Sequence, residues 1–342
     1  MLRLIRKHIL SSFLSLLFAG QSFAQTDEQL MSMGTAVRLP DSVLAQIKKS
    51  IDSSNHSRFL VLEKDSSHLN KKRLALVLGT EAALYAGSLI GLNELWYKDY
   101  PRTSFHFFDD SHEWLQVDKV GHMTTSYYVG RIGIDLLKWT GLKRKKAIWY
   151  GGMLGSVYQS TIEILDGYSS EWGFSWADLA SNTAGSLLVI GQELAWDEQR
   201  VVLKYSFMQS DFATYRPDVL GSSISEQLLK DYNGQTYWLS VNPSSFLSPE
   251  SKFPKWLNVA FGYGANGMTG GDFNPPYIDP DGNQLKFERY RQFYLSFDVD
   301  LTRIKTKSTF FNTVFKTIGF IKIPAPTVEF SKYGVKGNLL GF

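Results

Sequence analysis

Asp118 and His122 stand four residues apart, with Lys119 between them. Glu163 and Asp166 follow three apart, and Ser175, Asp178 and Asn182 form a third group. Side chains three or four positions apart share one face of a helix, so each group would project as a unit. An imidazole that titrates near neutrality beside carboxylates can act as a general base, and oxygen-rich sets of this kind hold hard divalent cations. His122, Glu163 and Asp178 are the candidate catalytic residues. Asp118, Lys119, Asp166, Ser175 and Asn182 complete the expected polar cluster. The residue types specify neither a particular metal nor a cofactor.

The same residues also admit a structural reading. Asp118 opens its helix, where a carboxylate suits unsatisfied amides, and Ser175 followed by Asp178 resembles a capping box. No Ser-x-x-Lys, Gly-x-Ser-x-Gly, His-Glu-x-x-His or phosphate-loop pattern names a mechanism, so enzymatic activity is left open. His106, Asp109, Asp110, His112 and Glu113 lie among Phe105, Phe107, Phe108 and Trp114. They read as an interfacial loop at headgroup level, with Asp110 capping a turn.

The elements that must position these groups are helices. Apolar and small residues dominate from Leu74 to Tyr97, with Ala75, Gly79, Ala83, Gly87 and Gly91 at every fourth position. Such stripes let helices approach closely, a habit favoured in lipid. Three further helices are expected over Lys119–Trp139, Lys146–Leu165 and Trp176–Trp196, with small residues at Gly121, Thr125, Gly133, Gly151, Gly155, Ala177, Ser181 and Gly185. Each interior glycine costs about 1 kcal/mol relative to alanine, so this many implies a packing role. From Tyr237 onward the period becomes two, clearest in Phe293, Leu295, Phe297, Val299 and Leu301. Phe311, Val314, Phe315 and Ile318 suit one helix that Ser308 can cap.

The expected fold is therefore α+β: an N-terminal four-helix, membrane-like bundle, then a small antiparallel β part with one helix. Arg3, Arg6 and Lys7 precede an apolar run and Ser22-Phe23-Ala24, the pattern of a signal peptide over 1–24. A polar lead-in (25–71), the bundle (72–200), a connector (201–235) and a β-rich domain (236–342) follow. The chain carries 36 basic and 33 acidic residues, and three of the basic ones belong to the signal peptide. The rest is formally neutral, without the basic face that nucleic acid requires. The absence of cysteine excludes disulfides, thiolate metal sites and a cysteine nucleophile, and it argues against a lipoprotein.

The strings Asp118-Lys119-x-x-His122, Glu163-x-x-Asp166 and Phe174-Ser175-Trp176-Ala177-Asp178-Leu179-Ala180, with Asn182 and Gly185, cover about residues 115–195. They resemble the YfiM-like family of predicted periplasmic lipoproteins of unknown function and, more distantly, VanZ-like membrane proteins. The resemblance implies an envelope address without a reaction. The expectation is an uncharacterised, exported envelope protein in the periplasm or at a membrane, of structural or interaction type, with membrane lipid or an envelope protein as partner. The alternative is an enzyme acting on a lipid or cell-wall precursor headgroup.

Overall fold

The computed structural model describes residues 68–341 except 94–96, 98, 99 and 280. The expected signal peptide and the lead-in up to residue 67 lie outside the described residues. Four long helices come first: α1 (Lys71–Leu92), α2 (Val117–Trp139), α3 (Arg144–Asp166) and α4 (Trp176–Trp196). Short helices α5 (Pro217–Leu220) and α6 (Ile224–Lys230) and the amphipathic α7 (Thr309–Ile318) belong to the second half. The fold is α+β, as expected.

Glycine decides how α2, α3 and α4 meet. A Cβ at Gly155 would lie 2.1 Å from the Ser126 carbonyl oxygen, and one at Gly185 would lie 2.1 Å from that of Met123. Neither position tolerates a side chain, so the backbones touch. Tyr127, Ile134, Ile148, Val189 and Ile190 fill the space between these contacts, together with Val202 and Leu203 from the first strand.

Helix α1 departs from the expected four-helix packing. Its stripe is unused at Gly79 and Gly87, where a Cβ would meet nothing within 4 Å among the described residues. It is attached instead at a few points along its length. Asn70 caps it by accepting from the amides of Lys72 and Arg73, Val77 packs with Leu137 and Ala147, and Tyr85 stands edge-on to Tyr158 at 5.6 Å. The compact unit is thus three helices with a fourth leaning on them.

The sheet is larger than expected. Six antiparallel strands run in the order β1-β2-β3-β6-β7-β8, and a two-stranded hairpin, β4-β5, is inserted. They are β1 (Val201–Phe207), β2 (Gln235–Val241), β3 (Leu257–Asn266), β4 (Tyr277–Ile278), β5 (Gln284–Leu285), β6 (Tyr290–Val299), β7 (Ala325–Ser331) and β8 (Gly334–Gly341). β1 lies in the stretch expected to be a connector. Its two faces are both largely buried, so it lacks the alternation that marks the other strands. The segment leading into β7 returns to β1: Tyr205 N–H donates to Phe320 O (2.8 Å), and Lys322 N–H donates to Tyr205 O (2.9 Å). The sheet therefore curls on itself, with α2 packed along its β1–β3 side.

Candidate functional site

The site lies where the start of α2, the end of α3 and the start of α4 meet. The chain enters α2 through Trp114, Leu115 and Gln116, all left-handed at φ 49°, 50° and 67°. Three consecutive non-glycine residues in that region are strained, at about 1–3 kcal/mol each, and persist only where the surroundings hold them. The sheet and the loop that follows β3 supply the hold. Trp114 N–H donates to Gly271 O (2.8 Å), Tyr263 Oη donates to Leu115 O, and Arg291 Nη2 donates to Gln116 Oε1 (2.6 Å). This turn corrects the expected cap: the residue preceding the helix is Gln116, and Asp118 makes no capping bond.

Asp118 instead joins an ion cluster around Lys119. The Lys119 ammonium lies 2.6 Å from Asp110 Oδ2, 2.9 Å from Asp118 Oδ2 and 2.9 Å from Asp178 Oδ1. Lys119 is 7 % exposed, and burial opposes its charge, but the carboxylates of Asp118 and Asp178 more than offset this and raise its proton affinity. Ser175 ties the cluster to α4. Its hydroxyl accepts from the Asp178 amide (3.0 Å), the expected cap, and donates to Asp110 Oδ1.

His122 occupies the next turn of α2. Its Nδ1 is 3.2 Å from Asn182 Oδ1 and 3.3 Å from Gln159 Nε2, so the tautomer decides whether it donates to the first or accepts from the second. The same nitrogen lies 3.6 Å from Glu163 Oε1, and Nε2 lies 3.8 Å from Asp178 Oδ1. Glu163 is 1 % exposed, and its Oε1 has no hydrogen-bond partner among the described residues. Burial, reinforced by Asp178 and Asp166, pushes its carboxyl up to about 9, so it is protonated at neutral pH. Burial likewise raises Asp118 to about 6 and also raises Asp178. Asp110 is only half-buried, and its contacts with Asp178, Lys119 and Ser175 outweigh that burial and hold it below the usual range.

Two trios bring ligand atoms within 4.8 Å of one another: His122, Glu163, Asp178 and Asp110, Asp118, Asp178. In the second the Lys119 ammonium already serves as the cation. The first could take a divalent ion only if Glu163 gave up its proton and Asp178 were shared with Lys119.

The structure brings His122, Glu163, Asp178, Asp118, Lys119, Ser175 and Asn182 together. Asp166 stands aside, accepting from the Tyr97 hydroxyl at 2.5 Å, and burial raises it to about 7. Asp110 was expected on a separate solvated loop but is a member of the cluster. That loop is drawn in by backbone pairing of Phe108 N with Phe174 O (3.1 Å) and of Phe174 N with His106 O (3.0 Å). Sequence reasoning also missed Gln159, one turn before Glu163 on the same face, and Ser126, whose hydroxyl donates to Asn182 Oδ1 at 3.3 Å. Their four-residue spacing from Glu163 and His122 was the available signal.

Over residues 106–190, the stretch that carries every member of this cluster, the chain matches the model of a family described as predicted periplasmic lipoprotein (DUF2279). No curated protein and no solved structure matches it. The match is coarser than the YfiM-like and VanZ-like resemblances and does not extend to them. It supports a periplasmic envelope address, and it overturns the expectation that the chain falls outside the lipoproteins. That expectation rested on the cysteine count alone, which speaks to one attachment chemistry and not to the family that the bundle resembles. The bundle end with its Lys119 cluster is thus the part of this chain that is similar to a family of predicted periplasmic lipoproteins.

Proposed function

We propose that this is a non-enzymatic envelope protein seated on a membrane, with α1 entering the bilayer and the rest of the bundle resting against it. The observation that carries the reading is α1 itself. It has 22 residues, long and apolar enough to cross a membrane, yet only 11 % of its apolar window is buried by the rest of the protein. The core helix of a water-soluble domain buries that surface. Leu76, Leu78 and Ile90 are 53 %, 51 % and 67 % exposed, and the N-terminal signal-peptide pattern fits the same address. On this reading the Lys119 cluster is a lock that joins loop and helices. Carbonate extraction of membranes from cells making the native protein tests it. Retention in the pellet is expected, and complete release into the soluble fraction would refute it.

One observation favours a second reading, an enzyme acting on a lipid or cell-wall precursor headgroup: the unpartnered Glu163 Oε1 beside His122 and Asp178. Here His122 would be the base. His122→Ala and Glu163→Gln would then abolish a cellular phenotype at normal protein levels, whereas loss of the protein itself in both variants would assign these residues to structure.

A further inference from the structure

The curled sheet has its polarity reversed relative to a sheet in water. Lys204, Ser240, Asn258, Ser296, Asp298 and Thr327 are at most 5 % exposed, and they hydrogen-bond to one another across the strands. Lys204 Nζ lies 2.7 Å from Asp298 Oδ2, with both side chains at 0 % exposure. Ser240 Oγ donates to Asp298 Oδ2 at 2.6 Å, and Asn258 Nδ2 donates to Ser240 Oγ at 2.9 Å. The alternate positions carry Phe261, Phe293, Leu295, Phe297, Val328 and Phe330, which are 36–56 % exposed. They are neighbours across the strands: Phe261 faces Leu295, Leu295 faces Val328, and Phe293 faces Phe330.

An antiparallel sheet with one solvated face puts its apolar side chains inward. A one-residue slip would restore that order here, but it would tear apart the buried Lys204–Asp298 pair and its hydrogen bonds. The register is therefore locked with the apolar face outward. Polar-in, apolar-out alternation is the pattern of sheets whose outer surface meets hydrocarbon.

We propose that the outer face of β3, β6 and β7 lies flat on a lipid bilayer, with its phenyl and aliphatic side chains among the acyl chains. The rim supports lipid as the occupant. Arg291, Lys332, Tyr290 and Tyr333 border the patch; the Lys332 ammonium sits 5.3 Å from the Tyr290 ring centre and 4.9 Å from that of Tyr333 and is paired with Glu288 Oε1 at 2.5 Å, which leaves Arg291 as the cation of the rim. Basic and aromatic residues beside an apolar patch suit anionic headgroups. The face rests on the bilayer and does not span it, because hydrocarbon would not satisfy the backbone groups on the edge of β8 that is unpaired among the described residues. The inference rests on the membrane reading above only in requiring a bilayer beside the protein.

The chain has no cysteine, so single-cysteine spin labels can report each surface. The full chain is reconstituted into vesicles of phosphatidylethanolamine and phosphatidylglycerol, with labels at Phe261→Cys, Leu295→Cys and Val328→Cys. Asp281→Cys on the exposed hairpin is the aqueous reference, and Leu76→Cys reports α1. The expected result at the three sheet sites is high accessibility to oxygen and loss of accessibility to a water-soluble nickel chelate relative to Asp281→Cys. Nickel access at the sheet sites with oxygen preference at Leu76→Cys would overturn this inference and leave the membrane reading standing. Nickel access at all four sites would overturn both. Shielding of the sheet sites from both reagents would mean that protein covers the face, which also overturns the inference.

Discussion

Asp110 Oδ2 lies 2.6 Å from the Lys119 ammonium, so a half-buried residue of the aromatic loop and a buried residue of α2 form one ion pair. Ser175 donates to the other oxygen of Asp110, and the Asp178 carboxylate shares the same lysine. Three segments, the aromatic loop, the start of α2 and the start of α4, are therefore held by a single positive charge.

Lys119→Met should leave three carboxylates without their cation. Breaking a buried pair from one side costs about 3–5 kcal/mol, and a large drop in thermal midpoint is expected. Asp110→Asn removes only the loop's anion, so it should accelerate proteolysis within residues 100–112 while lowering the midpoint less. Equal effects of the two substitutions would contradict a lysine-centred cluster.

Glu163 gives the cluster a pH dependence. Its folded carboxyl sits at about 9 against an ordinary 4.5, so the folded state holds a proton that the unfolded chain releases. Stability from this group is complete below about pH 4.5 and declines as pH rises through 9, at about 1.4 kcal/mol per tenfold difference in proton affinity. Glu163→Gln mimics the protonated form and should flatten that decline in thermal melts taken from pH 5 to 9. An unchanged slope would show that Glu163 is not the group.

The glycines divide into two kinds. Gly155→Ala places a methyl 2.1 Å from a backbone oxygen and should cost about 1–3 kcal/mol. Gly79→Ala meets nothing within 4 Å among the described residues and should leave stability unchanged or raise it by up to about 1 kcal/mol. Parallel melts of the two variants check this, and a destabilised Gly79→Ala would reveal an unseen neighbour for α1.

Within the sheet, Lys204→Ala should cost about 3–5 kcal/mol by stranding Asp298, whereas the double change Lys204→Met with Asp298→Leu should recover most of the loss, as is common for buried pairs replaced by apolar residues. Chemical denaturation of the three proteins measures both effects. A double variant as unstable as the single one would show that the hydrogen bonds of Ser240 and Asn258, rather than charge balance, set the register.

The sequence by itself determined the element types and most of the cluster. Period 3.6 marked the helices, and Ser175 with Asp178 marked a helix start, because both are consequences of local geometry. The period of two in Phe293–Leu301 likewise dictated a strand with two unlike faces. Only the tertiary structure decided which face is inside, since alternation reads the same whether the solvent is water or lipid, and the choice was made by Lys204 meeting Asp298 across distant strands. It also decided that Asp110 belongs with Lys119, because pairing of the loop at Phe108 with Phe174 is long-range and leaves no mark in local spacing. The small-residue stripe of α1 shows the converse: a spacing that permits close approach does not supply the partner, and the helix kept its groove while its neighbours packed with one another.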